Sequence, residues 1–385
     1  MIVNKRAATR TNKIIMVVYC LILCVLAVFA GRKPAYNWDM LPYMGVILRY
    51  ETADSNAIHS QVYNCAKETV PAIFYNRLID PSNAYRYRMA QNPSAFYAQF
   101  PFYIVKPLYT RLAWLFYKAG AGLSYATVWP SVISWLLTGL LLFTWIKKYG
   151  SYLFACASGI CIMLSPPLFT AASLSTPDAL SGLLLFTAVY FLAEKKSLAA
   201  VFVFLLLAIL TRIDNIVPAI CFIPAIFLVN RQQSKLPVAG IVSLIAILLL
   251  ACFFVAAAAR SFGWDLLYYP SFVKQLNVNY TAGSAFDLEG YLALAIAQLQ
   301  TGLYFSFTGY FLFLVLLLCW NKPAGAPGSF SVEQVITLSF VAAMVIRFLL
   351  QPLITDRLYI PWYLSVAVFL VKKYSPVIDQ SNHYK

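Results

Sequence analysis

Long uninterrupted apolar runs restrict what this chain can fold into more than any other feature. They cover Ile14–Ala30, Ala126–Ile146, Tyr152–Ala172, Ala179–Ala193, Leu198–Leu210, Ile216–Val229, Pro237–Ala258, Leu303–Trp320, Val335–Leu350 and Leu358–Val371. Such runs have no polar face to give to water, and only a bilayer solvates that much continuous apolar surface. Charged residues make up 11% of the 385, too few to coat a soluble domain of this length. The expected class is an all-α polytopic membrane protein of about ten transmembrane helices. One membrane domain is expected to run over 1–385, with an uncleaved first span, because Ile14–Ala30 is too long for an ordinary signal core.

Basic residues set the topology. If Lys5, Arg6, Arg10 and Lys13 are cytoplasmic, the cytoplasmic connections carry Lys147-Lys148, Lys195-Lys196, Arg231 with Lys235, Lys322 and Lys372-Lys373. Every one is basic, as the positive-inside rule requires. Both termini are then cytoplasmic, in a bacterial-type inner membrane. The remaining connections, 31–125, 173–178, 211–215, 260–301 and 351–357, face outward. They hold Asp39, Glu51, Asp54, Glu68, Asp80, Asp178, Asp214, Asp265, Asp287, Glu289 and Asp356, most of the 14 acidic residues. Topology alone does not demand that asymmetry, since acidic residues contribute little to it, so candidate chemistry lies outside.

The formal net charge is +15. In a soluble chain that would suggest nucleic acid. Here the basic pairs flank spans, so no nucleic-acid partner is expected, and lipid head groups or phosphates are the natural counterions. The cysteines fall mostly within apolar runs without metal-ligand spacing, so neither a disulfide framework nor a zinc site is expected.

The extracytoplasmic loop 31–125 is not low-complexity. Trp38–Arg49 reads as an amphipathic helix. Phe96–Lys118, with Lys106, Arg111 and Lys118 among aromatics, reads as an interfacial helix in the head-group layer. In the second outer loop, 260–301, Ser261–Tyr269 is aromatic-rich and Leu288–Gln300 reads as a helix entering the next span.

Several residues are candidates for chemistry. Asp39, just after the first span, suits a general base that deprotonates an acceptor hydroxyl. It equally suits an N-cap before Met40-Leu41-Pro42. Glu51 and Asp54 either assist it or form a solvated face. Arg347 lies inside an apolar span, where a cation needs a partner or a polar cavity. Together with Arg212 and Arg357 in tight outer loops, it could hold a lipid phosphate in guanidinium forks. Snorkelling or neighbouring ion pairs, Arg212 with Asp214 and Asp356 with Arg357, are the alternatives. Asp178 after Ser175-Thr176-Pro177 reads as a helix start or a substrate contact. Tyr36 and Trp38 could stack on sugar faces or belong to an interfacial aromatic belt, as could Trp264, Tyr268 and Tyr269.

Five short stretches carry a family resemblance. Lys106-Pro107-Leu108-Tyr109, Trp129-Pro130-Ser131, Lys147-Lys148-Tyr149-Gly150, Thr211-Arg212-Ile213-Asp214 and Asp356-Arg357-Leu358-Tyr359-Ile360-Pro361 resemble segments of the GT-C superfamily of membrane glycosyltransferases. That group includes protein mannosyltransferases, aminoarabinose transferases and oligosaccharyltransferases. The early outer Asp39 and the multi-span body resemble it too. The resemblance implies a polyprenyl-phosphate sugar donor and an extracytoplasmic lipid or glycan acceptor. It implies Asp39 as the catalytic acidic residue; with such a donor, Arg357, Arg347 and Arg212 are the candidate phosphate ligands, and Tyr36, Trp38, Lys106 and Asp178 the candidate sugar or acceptor contacts. Many members carry an acidic pair where Asp39 is followed by Met40, so a divalent cation remains an open candidate as cofactor. A transporter or flippase of a lipid-linked or polar solute, and a non-catalytic partner in polysaccharide assembly, are the competing classes.

Overall fold

The computed structural model describes residues 2–233, 237–260, 288–320 and 330–381. Lys235, Trp264, Asp265, Tyr268, Tyr269, Asp287 and Lys322, singled out above, lie outside the described residues. The regular structure of the described residues is all helical, with no strand among them. Four helices are long and apolar enough to cross a membrane: Arg10–Arg32, Leu123–Ile146, Val238–Ala258 and Val332–Leu350. Two bent pairs would bring the number to six.

Helix α1 (Ile2–Arg32) is followed by seven helices in the first long loop. These are α2 (Met40–Arg49), α3 (Ser55–Thr69), α4 (Ala72–Leu78), α5 (Ala84–Gln91), α6 (Pro93–Tyr97), α7 (Pro101–Ile104) and α8 (Pro107–Lys118). Two expectations for this loop change. Helix α2 is not amphipathic: every residue from Met40 to Leu48 is buried. Gly45 makes this possible, since a Cβ there would come within 2.4 Å of the Phe100 ring. The single helix expected over Phe96–Lys118 is instead three pieces, each starting with proline at its first position. Proline has no N–H to donate and fits the first turn but not the interior of a helix. Asp54, Asn83 and Asn92 cap α3, α5 and α6 by accepting backbone N–H bonds.

The body is built on α9 (Leu123–Ile146), which packs against α1, α2, α3 and α8. It also packs against the bent pair α10 (Tyr152–Met163) and α11 (Pro166–Ser173), and against α12 (Asp178–Tyr190). A π-helical turn (Phe191–Lys195) extends α12. Next come α13 (Leu198–Thr211), a 3-10 turn (Ile213–Asn215), the bent pair α14 (Ile216–Cys221) and α15 (Ile223–Gln233), and α16 (Val238–Ala258). The chain continues with α17 (Leu288–Phe305), α18 (Thr308–Trp320), α19 (Val332–Leu350) and α20 (Ile360–Ser381), and α20 packs on α9, α12, α18 and α19. The helix expected over Leu288–Gln300 does run on toward the next span, with a break at Ser306 and Phe307.

Polar contacts tie these helices at two ends. At the Asp39 end, Ala35 N–H donates to Ser173 O at 2.9 Å, and Ser175 N–H donates to Asn37 Oδ1 at 3.1 Å. Thr127 and Ser175 share a hydroxyl bond of 2.8 Å there. At the other end, Glu194 pairs with Lys148 at 3.2 Å and Lys372 at 3.5 Å, and Lys372 pairs with Glu333 at 2.6 Å. Lys196 Nζ donates to Gln232 at 3.0 Å, and Lys373 Nζ donates to Leu318 O at 2.7 Å. From Asp178 to Glu194 the helix rises about 24 Å, at 1.5 Å per residue, so the two polar ends are well separated.

Candidate functional site

A chain of alternating charges occupies the Asp39 end. Arg347, on α19, is 6% exposed and donates through Nη2 to Asp214 Oδ2. Arg212 grips the same carboxylate bidentately, Nε to Oδ1 and Nη2 to Oδ2, both at 3.0 Å. Its remaining nitrogen, Nη1, donates to Asp178 Oδ1. Arg357 Nε lies 3.1 Å from Asp178 Oδ2. The order is Arg347, Asp214, Arg212, Asp178, Arg357. Four separate stretches of chain meet here: α19, the turn after α13, the start of α12 and the turn before α20.

Local structure explains why these side chains can meet. Arg212 takes an extended backbone (φ −152°, ψ 117°) that ends α13, and the following 3-10 turn carries Asp214 back beside it. Asp178 is the first residue of α12, where the helix dipole favours a carboxylate. The helix-start and contact readings of Asp178 therefore hold together. Arg212 and Arg357 approach the two oxygens of the buried Asp178 carboxylate, one each. Burial opposes ionisation of Asp214, and Arg212 with Arg347 overcome it decisively. Arg212, despite burial, is held more firmly protonated than usual by Asp214 and Asp178. The ion pair between neighbours Arg212 and Asp214 is present. Asp356 instead accepts from Tyr363 Oη at 2.8 Å and from Phe307 N–H at 3.0 Å.

Asp39 stands beside this chain with a different set of partners. It precedes α2, but its backbone is helical (φ −58°, ψ −20°) and its carboxylate makes no capping bond. An N-cap side chain reaches its helix only from an extended backbone, so the capping role is not the one Asp39 plays. Oδ1 accepts from Tyr103 Oη at 3.1 Å, and Oδ2 accepts from Asn37 Nδ2 at 3.1 Å. Asn37 also receives the Ser175 N–H, so the loop before α12 fixes the rotamer of the residue that holds Asp39. Burial, then the Asp39 charge, keeps the Tyr103 phenol protonated well above its ordinary range.

Lys106 completes the site. Its Nζ sits over the Tyr103 ring (4.8 Å to the centroid) and the Tyr43 ring (5.4 Å). It has no carboxylate within ion-pair distance among the described residues. Burial and then Arg212 push its pKa down to about 8, while Asp39, Asp178 and Asp214 pull the other way. The cations Lys106, Arg212, Arg347 and Arg357 face the carboxylates Asp39, Asp178, Asp214 and Asp356, and of these carboxylates Asp39 and Asp356 accept from neutral donors only. Lys106 and Arg357 are the two cations here with donors left for an anion. Arg357 is the site's open edge, with a side chain 33% exposed and no partner for its Nη groups among the described residues.

Other candidates lie elsewhere. Glu51 accepts from Trp114 Nε1 at 2.5 Å and pairs with Lys118 at 2.6 Å on an exposed surface. These contacts hold its carboxyl below the usual range, Lys118 most and then Trp114. Asp54 caps α3. Neither assists Asp39, because α2 stands between them and its ten residues rise about 15 Å. Trp38 packs edge-on against Tyr85 at 5.5 Å, beneath the Arg86 guanidinium at 6.0 Å. Tyr36 packs on Phe74 at 5.4 Å from a left-handed backbone (φ 46°). Both flank the site without pointing a polar atom at Asp39. Among the described residues no three His, Cys, Asp or Glu side chains form a metal-binding group. Asn37, Tyr43 and Tyr103 were not singled out in the sequence. Asn37 and Tyr103 hold Asp39 and Tyr43 lies under Lys106, yet tyrosines are too numerous here (26) to mark one.

Comparison of the chain with family models, with curated proteins and with solved structures finds no match.

Proposed function

We propose that the chain is a membrane glycosyltransferase that moves a sugar from a polyprenyl-phosphate donor to an extracytoplasmic lipid or glycan acceptor. The observation that carries this reading is the placement of Asp39. Its carboxylate is not a helix cap, is aimed by Tyr103 and Asn37, and lies at the same end as Lys106 and three arginines. A base beside an anion site is what this chemistry needs. Asp39 takes the proton of the acceptor hydroxyl as its oxygen bonds to the anomeric carbon. The bond from that carbon to the donor phosphate breaks, and polyprenyl phosphate leaves with the electron pair. Lys106 and Arg357, the cations with room for another partner, receive the growing phosphate charge. Arg347 and Arg212 are engaged by Asp214 and Asp178. They act by fixing the positive field rather than by direct contact. The pathway is inverting, because among the described residues no second carboxylate stands beside Asp39 to act as nucleophile.

The membrane arrangement that goes with this has ten crossings: α1, α9, α10 with α11, α12, α13, α14 with α15, α16, α18, α19 and α20. Ties at the two polar ends support it, since residues assigned to one side by the basic pairs contact one another. On the positive-inside rule the Glu194 end is cytoplasmic, with both termini, and the Asp39 end faces outward from an inner-type membrane. Helix α13 rises only about 21 Å to Arg212, against about 30 Å of hydrocarbon. The charge network is thus recessed below the outer head groups, where a lipid phosphate reaches it sideways.

Mass spectrometry of lipid co-purifying with the protein tests the reading. Polyprenyl phosphate is expected, enriched over its share of the membrane and reduced in Arg357→Gln. A solute carried without chemical change across vesicles, with no polyprenyl phosphate bound, would overturn it in favour of a transporter.

A further inference from the structure

A second site stands out at the outer-leaflet end of α1. A cleft of about 700 Å³ opens between the last turn of α1 and the start of α9, walled by Val28, Gly31, Arg32, Gly122, Tyr125 and Trp129. That volume is in the range of small-molecule sites. Four features give it a chemistry. Arg32 is exposed and has no partner among the described residues, although it ends a stretch apolar enough to cross a membrane. Tyr125 and Trp129 are of the amphipathic type that settles at the head-group level. Val25 and Val28 expose the apolar flank below. The two glycines are required by neither backbone nor packing. Gly122 has a conformation open to any residue (φ −56°, ψ 145°), and a Cβ at either glycine meets only ordinary contacts at 3.7 Å. Their missing side chains leave the space open.

We propose that this cleft is a binding site for an anionic phospholipid, the phosphate on Arg32, the glycerol backbone against the glycines and the first acyl carbons along Val28 and Trp129. Charge complementarity selects this occupant: Arg32, with the exposed Lys33 next to it over the Phe29 ring, offers cations to phosphate oxygens, and the wall below is apolar. Its lining shares no residue with the charge network around Asp214. Binding there requires no sugar transfer, so it stands or falls independently of the proposed function.

Photolabelling in nanodiscs tests it. The probes are photoactivatable phosphatidylglycerol and the matching diacylglycerol, which lacks the phosphate. Phosphatidylglycerol is expected to label peptides spanning residues 25–32 and 121–129 in preference to diacylglycerol. Arg32→Gln should lower that labelling about fivefold, the worth of one surface cation toward an anionic lipid, while labelling of the exposed face of α16 stays constant. Gly122→Leu, which fills the cleft without backbone strain, should lower labelling by both probes. Equal labelling by the two probes, unmoved by Arg32→Gln, would mean annular lipid only and would overturn the proposal.

Discussion

The two polar ends of the helix bundle are built from the same residue types and do different things with them. At the Glu194 end, Glu194 and Glu333 meet Lys148 and Lys372, and Tyr149 also donates to Glu194. The lysines keep about a third of their side chains exposed. Both carboxylates there are met by lysine, while the further lysines Lys196 and Lys373 are taken up by the Gln232 amide and the Leu318 carbonyl. At the Asp39 end the network is deeper, with Asp178 1% and Arg347 7% exposed at the side chain, and it is deliberately incomplete. Lys106 rests on ring faces without a carboxylate, Arg357 keeps its Nη groups open, and Asp39 is held only by neutral donors. A saturated cluster clamps helix ends together, whereas an unsaturated one has room for a ligand.

The sharpest way to break this comparison is to remove a hub from the buried network at the Asp39 end. Asp214→Asn leaves Arg347 and part of Arg212 buried without a counter-charge, at a cost of about 3–5 kcal/mol. It is expected to reduce folded protein recovered in detergent and to lower the thermal midpoint steeply. Asp178→Asn should behave the same way, read by the same fluorescence melt.

Next in size is Arg357→Gln. Its guanidinium is partly exposed, so the fold should survive. Charge-assisted bonds to a phosphate are worth about 1.5–3 kcal/mol, so donor KM is expected to rise roughly ten- to a hundredfold, with a smaller fall in the melt than Asp214→Asn gives, since Arg212 still answers the buried Asp178. The separation of these two readouts distinguishes a ligand contact from a structural pair.

A pH profile sharpens the role of Lys106. Its folded pKa, about 8, lies below its ordinary value, so its charge is present below pH 8 and lost as pH rises through it. Arg357 does not titrate there. Apparent donor affinity should therefore fall above pH 8, and Lys106→Arg should flatten that limb. The stability consequence has the opposite sign: between pH 8 and the unfolded lysine value, the unfolded chain binds the extra proton, so stability rises with pH.

The smallest effects belong to the Glu194 end. Glu194→Gln weakens partly exposed ties worth about 1 kcal/mol or less each. A modest fall in thermal midpoint is expected, with sugar transfer unchanged.

Much of this was legible in the sequence, and the gaps have physical causes. Helices in the apolar runs follow from hydrocarbon-like stretches that must satisfy their own backbone. The cost of a cation in an apolar run singled out Arg347 before any partner was known. The partner itself, Asp214, was visible only as a neighbour of Arg212, because nothing along the chain says that α19 packs beside the turn after α13. The spacing of Met40, Leu41, Met44, Ile47 and Leu48 suggested one buried stripe on α2, whereas Gly45 and Phe100 let the rest of the helix sink as well. Pro101 and Pro107 announced the breaks between α6, α7 and α8, but the aromatic-rich pattern over Phe96–Lys118 concealed them. Asp39 looked like a cap by position, and only its helical backbone angles show that its carboxylate is free for another use.

The most direct measurement compares sugar transfer by Asp39→Asn and Glu194→Gln, purified and reconstituted with a polyprenyl-phosphate sugar and an outer-leaflet acceptor. The predicted result is loss of transfer in Asp39→Asn with donor still bound and the melt unchanged, and wild-type transfer in Glu194→Gln. Wild-type transfer by Asp39→Asn would contradict the assignment of the unsaturated end as the site of chemistry.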